Sequence, residues 1–352
     1  MFQINYSDGL ARSGVLETSH GKLLTPTIFP VHNLGADSGW NTPIYWKKFP
    51  EINTGMFNAS YFYMDKRGRL DRILESGIHK YINFPGVAFV DSGGFILRKY
   101  GLTVTQEEVL EIQEKSRADI ASTLDYPIEL TANPKNFDIT MSVKNAKRAL
   151  EIRRRKDMLL YASVHGYDPI ILRNVIRHLV KSGEFDGFAV GSLMPSFSNY
   201  RLLVDLVFTA RREVPSKPLH VYGLSGLLVT ALLIYLGVDS VDSSVFVIAA
   251  GKRDYMVPGF RRVSVYKIEA QAKTPCKCPI CESHSMSEIR MSRKFLSLHN
   301  LWVCWSQIKE IRTAIREGLL EDYLSKRFEK NPWARRAFNY AQKRSKFGLK
   351  GG

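Results

Sequence analysis

Val87-Ala88-Phe89-Val90-Asp91-Ser92-Gly93-Gly94 carries the pattern that decides the fold: an apolar run, an acid, then a glycine turn. Such runs recur along the chain, each ending in small or polar residues. They are Pro26–His32, Gly55–Tyr61, Val87–Asp91, Ile120–Asp125, Leu159–His165, Gly187–Gly191, Pro218–Gly223 and Ser240–Ser244. Helix-like segments lie between most of them. Thr105–Lys115 has Glu107, Glu108 and Glu111 near its start, where acids suit the helix dipole; Val143–Arg155 and Pro169–Lys181 are others. Strands alternating with helices at this spacing imply parallel βα units. Eight of them predict an α/β fold, a closed (β/α)₈ TIM barrel, although a doubly wound sheet shows similar alternation. Asp91, Asp125, His165 and Asp242 all fall at the C-terminal ends of expected strands, the face that hosts active sites in barrels.

Beyond the barrel, Cys276-Lys-Cys278-Pro-Ile-Cys281 places three thiols within six residues. Soft, four-coordinate Zn²⁺ takes such ligands, and a closed set of this kind is structural. His299 is the favoured fourth ligand, with His284 and Cys304 as alternatives. Four cysteines in 352 residues suit a reducing compartment better than a secreted scaffold. The expected organisation is a barrel over 1–265, a zinc-binding subdomain over 266–310 and a basic helical segment over 311–352.

Composition narrows the partners. Hydrophobic residues make up 45% and charged residues 24%, as in a soluble globular protein. The start of the chain has no signal-like apolar run, and the longest apolar stretch, Leu227 to Val238, is too short to span a bilayer. The expectation is a cytoplasmic protein with no membrane partner. Lys and Arg outnumber Asp and Glu by 50 to 34, a net charge of +16. Basic residues concentrate at Lys144–Lys156 and at Lys330–Lys350, with no acid after Glu329. Concentrated positive charge attracts a polyanion, nucleic acid above all.

Two aspartates facing one pocket can divide substitution at a sugar carbon. One attacks the anomeric centre and the other moves a proton at the leaving group. A third carboxylate can accept from the N–H edge of a base, the Gly93-Gly94 pair can let backbone approach a flat ligand, and Phe95 can stack on it.

At these residues the chain resembles the tRNA-guanine transglycosylase superfamily over nearly its whole length. The resemblance rests on Ala11 through Pro26, Asp91-Ser-Gly-Gly-Phe95, Thr105-Gln-Glu-Glu108, Ala118-Asp-Ile120 to Asp125, Gly237-Val-Asp-Ser-Val-Asp242, the cysteine cluster and Leu298-His-Asn300. It implies that Asp242 attacks C1′ of a guanosine and that Asp91 is the general acid/base. Asp125 would bind the purine's N–H edge, with Ser92, Gly191, Tyr222 and Gly223 completing the pocket and Phe95 stacking. Asn58 would orient the carboxylates, and the incoming base would be a 7-deazaguanine. The target base must leave its stack, an unfavourable step that phosphate contacts offset.

The chain departs from the family in places. His165 stands where the family has a glutamine, and Ile96 replaces another. After Asp242 the chain reads Ser243-Ser-Val-Phe-Val-Ile-Ala-Ala-Gly251, where the family has a proline–threonine–arginine stretch that contacts tRNA. That loss favours the DNA-guanine transglycosylase branch, with a divergent tRNA enzyme as the alternative and a non-catalytic RNA-binding subunit as a third reading. A homodimer or an accessory protein is compatible with each.

Overall fold

The computed structural model describes the chain apart from residues 35–41, 66–67, 69, 129–135, 260, 270–271, 274–275 and 349–352. It opens with an antiparallel meander of β1 (Phe2–Asp8), β2 (Ala11–Thr18) and β3 (Gly21–Thr25). Eight parallel strands follow: β4 (Thr27–Pro30), β5 (Thr54–Asn58), β6 (Val87–Asp91), β7 (Ile120–Ser122), β8 (Leu159–Val164), β9 (Gly187–Val190), β10 (Leu219–Val221) and β11 (Ser240–Ser243). They pair in the order β4-β11-β10-β9-β8-β7-β6-β5. Among the described residues, the wall between β4 and β5 is held by the Val31–Met56 bridge, the His32 N–H to Met56 carbonyl bond of 2.8 Å, and the Thr54 hydroxyl on the Ile28 carbonyl at 2.6 Å. This is a nearly closed TIM-type barrel. The expected runs were each found; Val87–Asp91 ends where expected and the others run one to three residues too long at the C-terminal end, because residues such as Asp125, His165 and Gly191 already lie past the ladder in the loops that form the site.

The barrel interior is filled by Phe29, Met56, Phe89, Ile120, Tyr161 and Ala189, and Leu16 and Leu23 of the meander pack into the same cluster. The meander therefore plugs the N-terminal end. A repeated device secures that end: Asp119, Asp186 and Asp239 each stand one residue before a strand. Each accepts a backbone N–H from the first or second residue of the adjacent strand, from Ala88 at 2.8 Å, Leu160 at 2.9 Å and Leu219 at 2.8 Å. Their counter-groups are His20 and His79 for Asp119, Arg153 for Asp186, and Arg12 and Arg211 for Asp239. Arg12 and His20 belong to the meander and its turn, so the plug is pinned by charge as well as by apolar packing.

The helix at Gln106–Lys115 has Thr105 and Glu108 in a reciprocal capping box. The segment expected over Val143–Arg155 instead runs Asn136–Ile152. It stops early because the Arg153 guanidinium turns back onto the Arg155 and Lys156 carbonyls and Asp186. A helix between parallel strands runs antiparallel to them, so the Arg153–Lys156 end lies at the N-terminal, plugged end of the barrel. The basic cluster there, expected to touch a polymer, thus faces away from the catalytic end. Arg148, Arg153 and Arg155 are paired with Glu107, Asp186 and Asp157.

After β11 come the ribbon β12 (Asp254–Val257) and β13 (Arg261–Ser264), two short helices at Pro279–Ser283 and Met286–Met291, and a 25-residue helix, Arg293–Glu317, continuous across residue 310. The basic terminal helix, Pro332–Gly348, docks on the Tyr200–Glu213 helix through Tyr340 and Arg344, both bonded to Asp205. No helix among the described residues is long and apolar enough to cross a membrane.

Candidate active site

Adjacent register places Asn58, the last residue of β5, beside Asp91, the last of β6. The Asn58 carbonyl oxygen accepts from the Ser60 N–H and hydroxyl, which turns its amide nitrogen onto Asp91 Oδ2 at 3.1 Å. Asp91 also accepts from the Gly93 N–H and the Ser122 hydroxyl, each at 3.2 Å. Burial, then the charges of Asp125 and Asp242, nevertheless raise its carboxyl to about 7.

Asp125 is buried and accepts the Ser92 hydroxyl at 2.8 Å on one oxygen. His165, also buried, holds Nε2 at 2.9 Å from the other oxygen and Nδ1 at 2.9 Å from the Ser192 hydroxyl. Gly191 lies under this ring, since a Cβ there would collide with His165 Cε1. The Gly93-Gly94 pair, expected to open backbone to a ligand, is also required by crowding within the chain. A Cβ on Gly93 would meet Asn58 Oδ1, one on Gly94 would meet the Asp125 carbonyl, and Gly93 sits at φ +83°.

Across the mouth, Asp242 on β11 accepts the Gly223 N–H at 2.8 Å. His220 Nε2 is 3.5 Å from the same oxygen, and its Nδ1 is 2.8 Å from the Ser240 hydroxyl. Burial lowers the His220 pKa, which favours the neutral ring beside Asp242. The Tyr222 ring packs near Phe89 and His220 in the upper interior. Phe95 is 66% exposed on the first turn of the Gly94–Lys99 helix, at the rim and not in the walls. Ser122, Ser192 and His220 were not expected. His220 had a signal, a histidine flanked by Leu219 and Val221 in a strand; the two serines had none beyond their position at strand ends.

In the appended region Cys276, Cys278, Cys281 and His299 bring their ligand atoms within 4.8 Å of one another. His299 Nδ1 is 3.4 Å from Cys278 Sγ and 3.3 Å from Cys281 Sγ. Its Nε2 is 2.8 Å from the Met256 carbonyl, which can only accept. The proton therefore sits on Nε2 and the Nδ1 lone pair faces the thiols, the tautomer that a metal ligand needs. Three soft sulfurs and one imidazole fit a structural zinc ion. The alternatives lie elsewhere: His284 stacks on Phe295, and the Cys304 thiol lies against Met256.

Comparison with known proteins follows the same lines. The family model described as queuine tRNA-ribosyltransferase matches residues 7–332. A tRNA-guanine(15) transglycosylase of Pyrococcus abyssi is 31% identical over 343 residues, covering 94% of this chain and 57% of the relative. One of Thermococcus onnurineus is 30% identical over 344 residues, with 94% and 57% covered. One of Methanosphaera stadtmanae is 29% identical over 343 residues, with 94% and 49% covered. The chain thus spans about half the length of these relatives. It belongs to the queuine tRNA-ribosyltransferase family, the guanine transglycosylases.

Proposed function

We propose that this chain exchanges a guanine in tRNA for a free purine-type base, a 7-deazaguanine in the natural reaction. The observation that carries the reading is the pair of unlike carboxylates at one mouth: Asp91, raised to about 7, and Asp242, held by the Gly223 N–H. As the C1′–N9 bond of the target breaks, an Asp242 oxygen bonds to C1′ and the Asp91 proton passes to the departing guanine. In the second half the incoming base attacks C1′, its N9 proton passes to Asp91, and Asp242 is released. Asp125 and Ser92 hold the N–H edge of either base, and Phe95 offers an aromatic face at the rim. The relatives are named for action on tRNA, which favours tRNA over the DNA reading preferred on sequence.

One observation keeps DNA as the second reading. The segment after Asp242 is a short apolar helix, Val245–Gly251, with Phe246, Val247, Ala249 and Ala250 buried, and it offers no proline–threonine–arginine stretch to a tRNA.

Labelled guanine supplied with bulk tRNA and, separately, with duplex DNA tests both. Label entering tRNA and lost in Asp242→Ala supports the proposal; label entering DNA alone replaces tRNA by DNA. Label in neither, with wild-type protein that binds guanine, sinks the enzymatic reading.

A further inference from the structure

Ser192 is one of four non-glycine residues at positive φ among the described residues, here +60°, a conformation unfavourable for an L side chain without compensation. Its hydroxyl is spoken for twice. It accepts the Ile128 N–H at 2.9 Å, and it lies 2.9 Å from His165 Nδ1. The far nitrogen of the same buried ring, Nε2, is 2.9 Å from Asp125 Oδ2. The approach is not aligned as a hydrogen bond, but a lone pair so close to a carboxylate is repelled, so the tautomer with its proton on Nε2 is the one this contact allows. In the neutral ring Nδ1 is then the acceptor and the Ser192 O–H its donor. On the other side Asp125 takes the Ser92 hydroxyl. The chain of contacts runs Ile128 N–H, Ser192, His165, Asp125, Ser92, and it joins four successive strand ends, after β6, β7, β8 and β9.

We propose that His165 is a positioning residue. Through Ser192 it fixes the Asp125 carboxylate plane, and so determines how tightly the free base is held, without itself moving a proton in the exchange. Space supports this role as well as bonding. Gly191 has no room for a side chain beneath the ring, and Gly94 none against the Asp125 carbonyl, so the ring and the carboxylate are confined from both sides. The Ile128 link makes the base pocket depend on the path of the chain leaving β7. The inference rests on the guanine-exchange reading, since it presumes that Asp125 faces a purine edge.

The test compares wild type, Ser192→Ala, Ser192→Gly and His165→Gln, reading KM for guanine, kcat at saturating guanine, guanine binding by calorimetry, and Tm. Ser192→Gly is the informative variant: it suits φ +60° and removes the hydroxyl. The expected result is an unchanged or raised Tm, a KM and Kd for guanine higher by about tenfold or more, and kcat within about threefold of wild type. His165→Gln can donate to Asp125 through its amide nitrogen and accept from Ser192 through its amide oxygen, so it should keep KM for guanine near wild type. If Ser192→Gly binds guanine as wild type does, or loses kcat with KM unchanged, the relay is wrong. If the wild type neither binds nor exchanges guanine, the reading of the site itself fails, and that outcome is distinct from the first.

Discussion

At the scale of single residues, the chemistry was legible where a side chain ends a strand and hidden where it bridges two. Asp91, Asp125 and Asp242 announced themselves by position, as acids closing apolar runs. The residues that set their behaviour, Ser122, Ser192 and His220, could not be found without knowing which strand ends are neighbours. Asp91 shows why this matters. Its folded pKa of about 7 lies above the unfolded carboxyl value, so the native state holds a proton that the unfolded chain releases. Stability linked to this group is full below about pH 4 and is lost as pH rises towards 7. Asp91→Asn should therefore raise Tm more at pH 8 than at pH 5 while abolishing exchange; an equal shift at both pH values would contradict the raised pKa. In wild type, the burst of guanine release should decline as pH climbs through about 7, because the proton donor is then ionised. Rapid-quench measurement across pH 5.5–8.5 checks this.

At the scale of elements, aspartates at the two ends of the strands do different work. Those at the C-terminal ends gather at the mouth, whereas Asp119, Asp186 and Asp239 at the N-terminal ends tie each strand to its neighbour and the meander to the barrel. Asp119 accepts from His20, His79 and Ala88, and these donors hold its pKa below the usual carboxylate range against the opposing effect of burial. Its contribution is present above the unfolded pKa and is lost as pH falls through the lower folded one. Asp119→Asn should cost roughly 1–3 kcal/mol near neutral pH, measured by urea unfolding, with guanine exchange per folded molecule retained. The Arg293–Glu317 helix supplies His299 to the thiol cluster and, two turns on, Gln307, whose amide donates at 2.6 Å to the carbonyl of Leu227, the first residue of the barrel helix Leu227–Tyr235. Chelation, or Cys278→Ser, should therefore lower Tm and loosen that barrel contact together. One zinc ion per chain by elemental analysis, lost on chelation, is the expected stoichiometry, and a chelator-insensitive Tm would argue against the site.

At the scale of the whole molecule, net charge foretold a polyanion but not where it lies. The Lys144–Lys156 cluster runs along a helix towards the plugged end, and three of its seven cations, Arg148, Arg153 and Arg155, are paired, so Lys147→Glu with Arg154→Glu should leave nucleic-acid affinity and its salt slope nearly unchanged. Arg261 and Arg262 on β13 are exposed, without a carboxylate partner among the described residues, and Arg262 reaches to within 3.6 Å of where a Gly226 Cβ would stand, on the loop that begins at Gly223. Replacing both by Ala should weaken binding and reduce the slope of log K against log salt by about 2. The fold was readable because eight repeats of one pattern reinforce each other; partner location was not, because charge placement depends on which end of a helix faces which end of the barrel. The join between β4 and β5 has a further consequence. A wall closed by one bridge and a side chain has, energetically, two free borders, each with peptide groups that lack a ladder partner. Deuterium should enter the Thr54–Asn58 amides on that border sooner than those of Val87–Asp91, and the molecule should breathe along this line, parting like the lips of a split tube while its opposite wall stays shut.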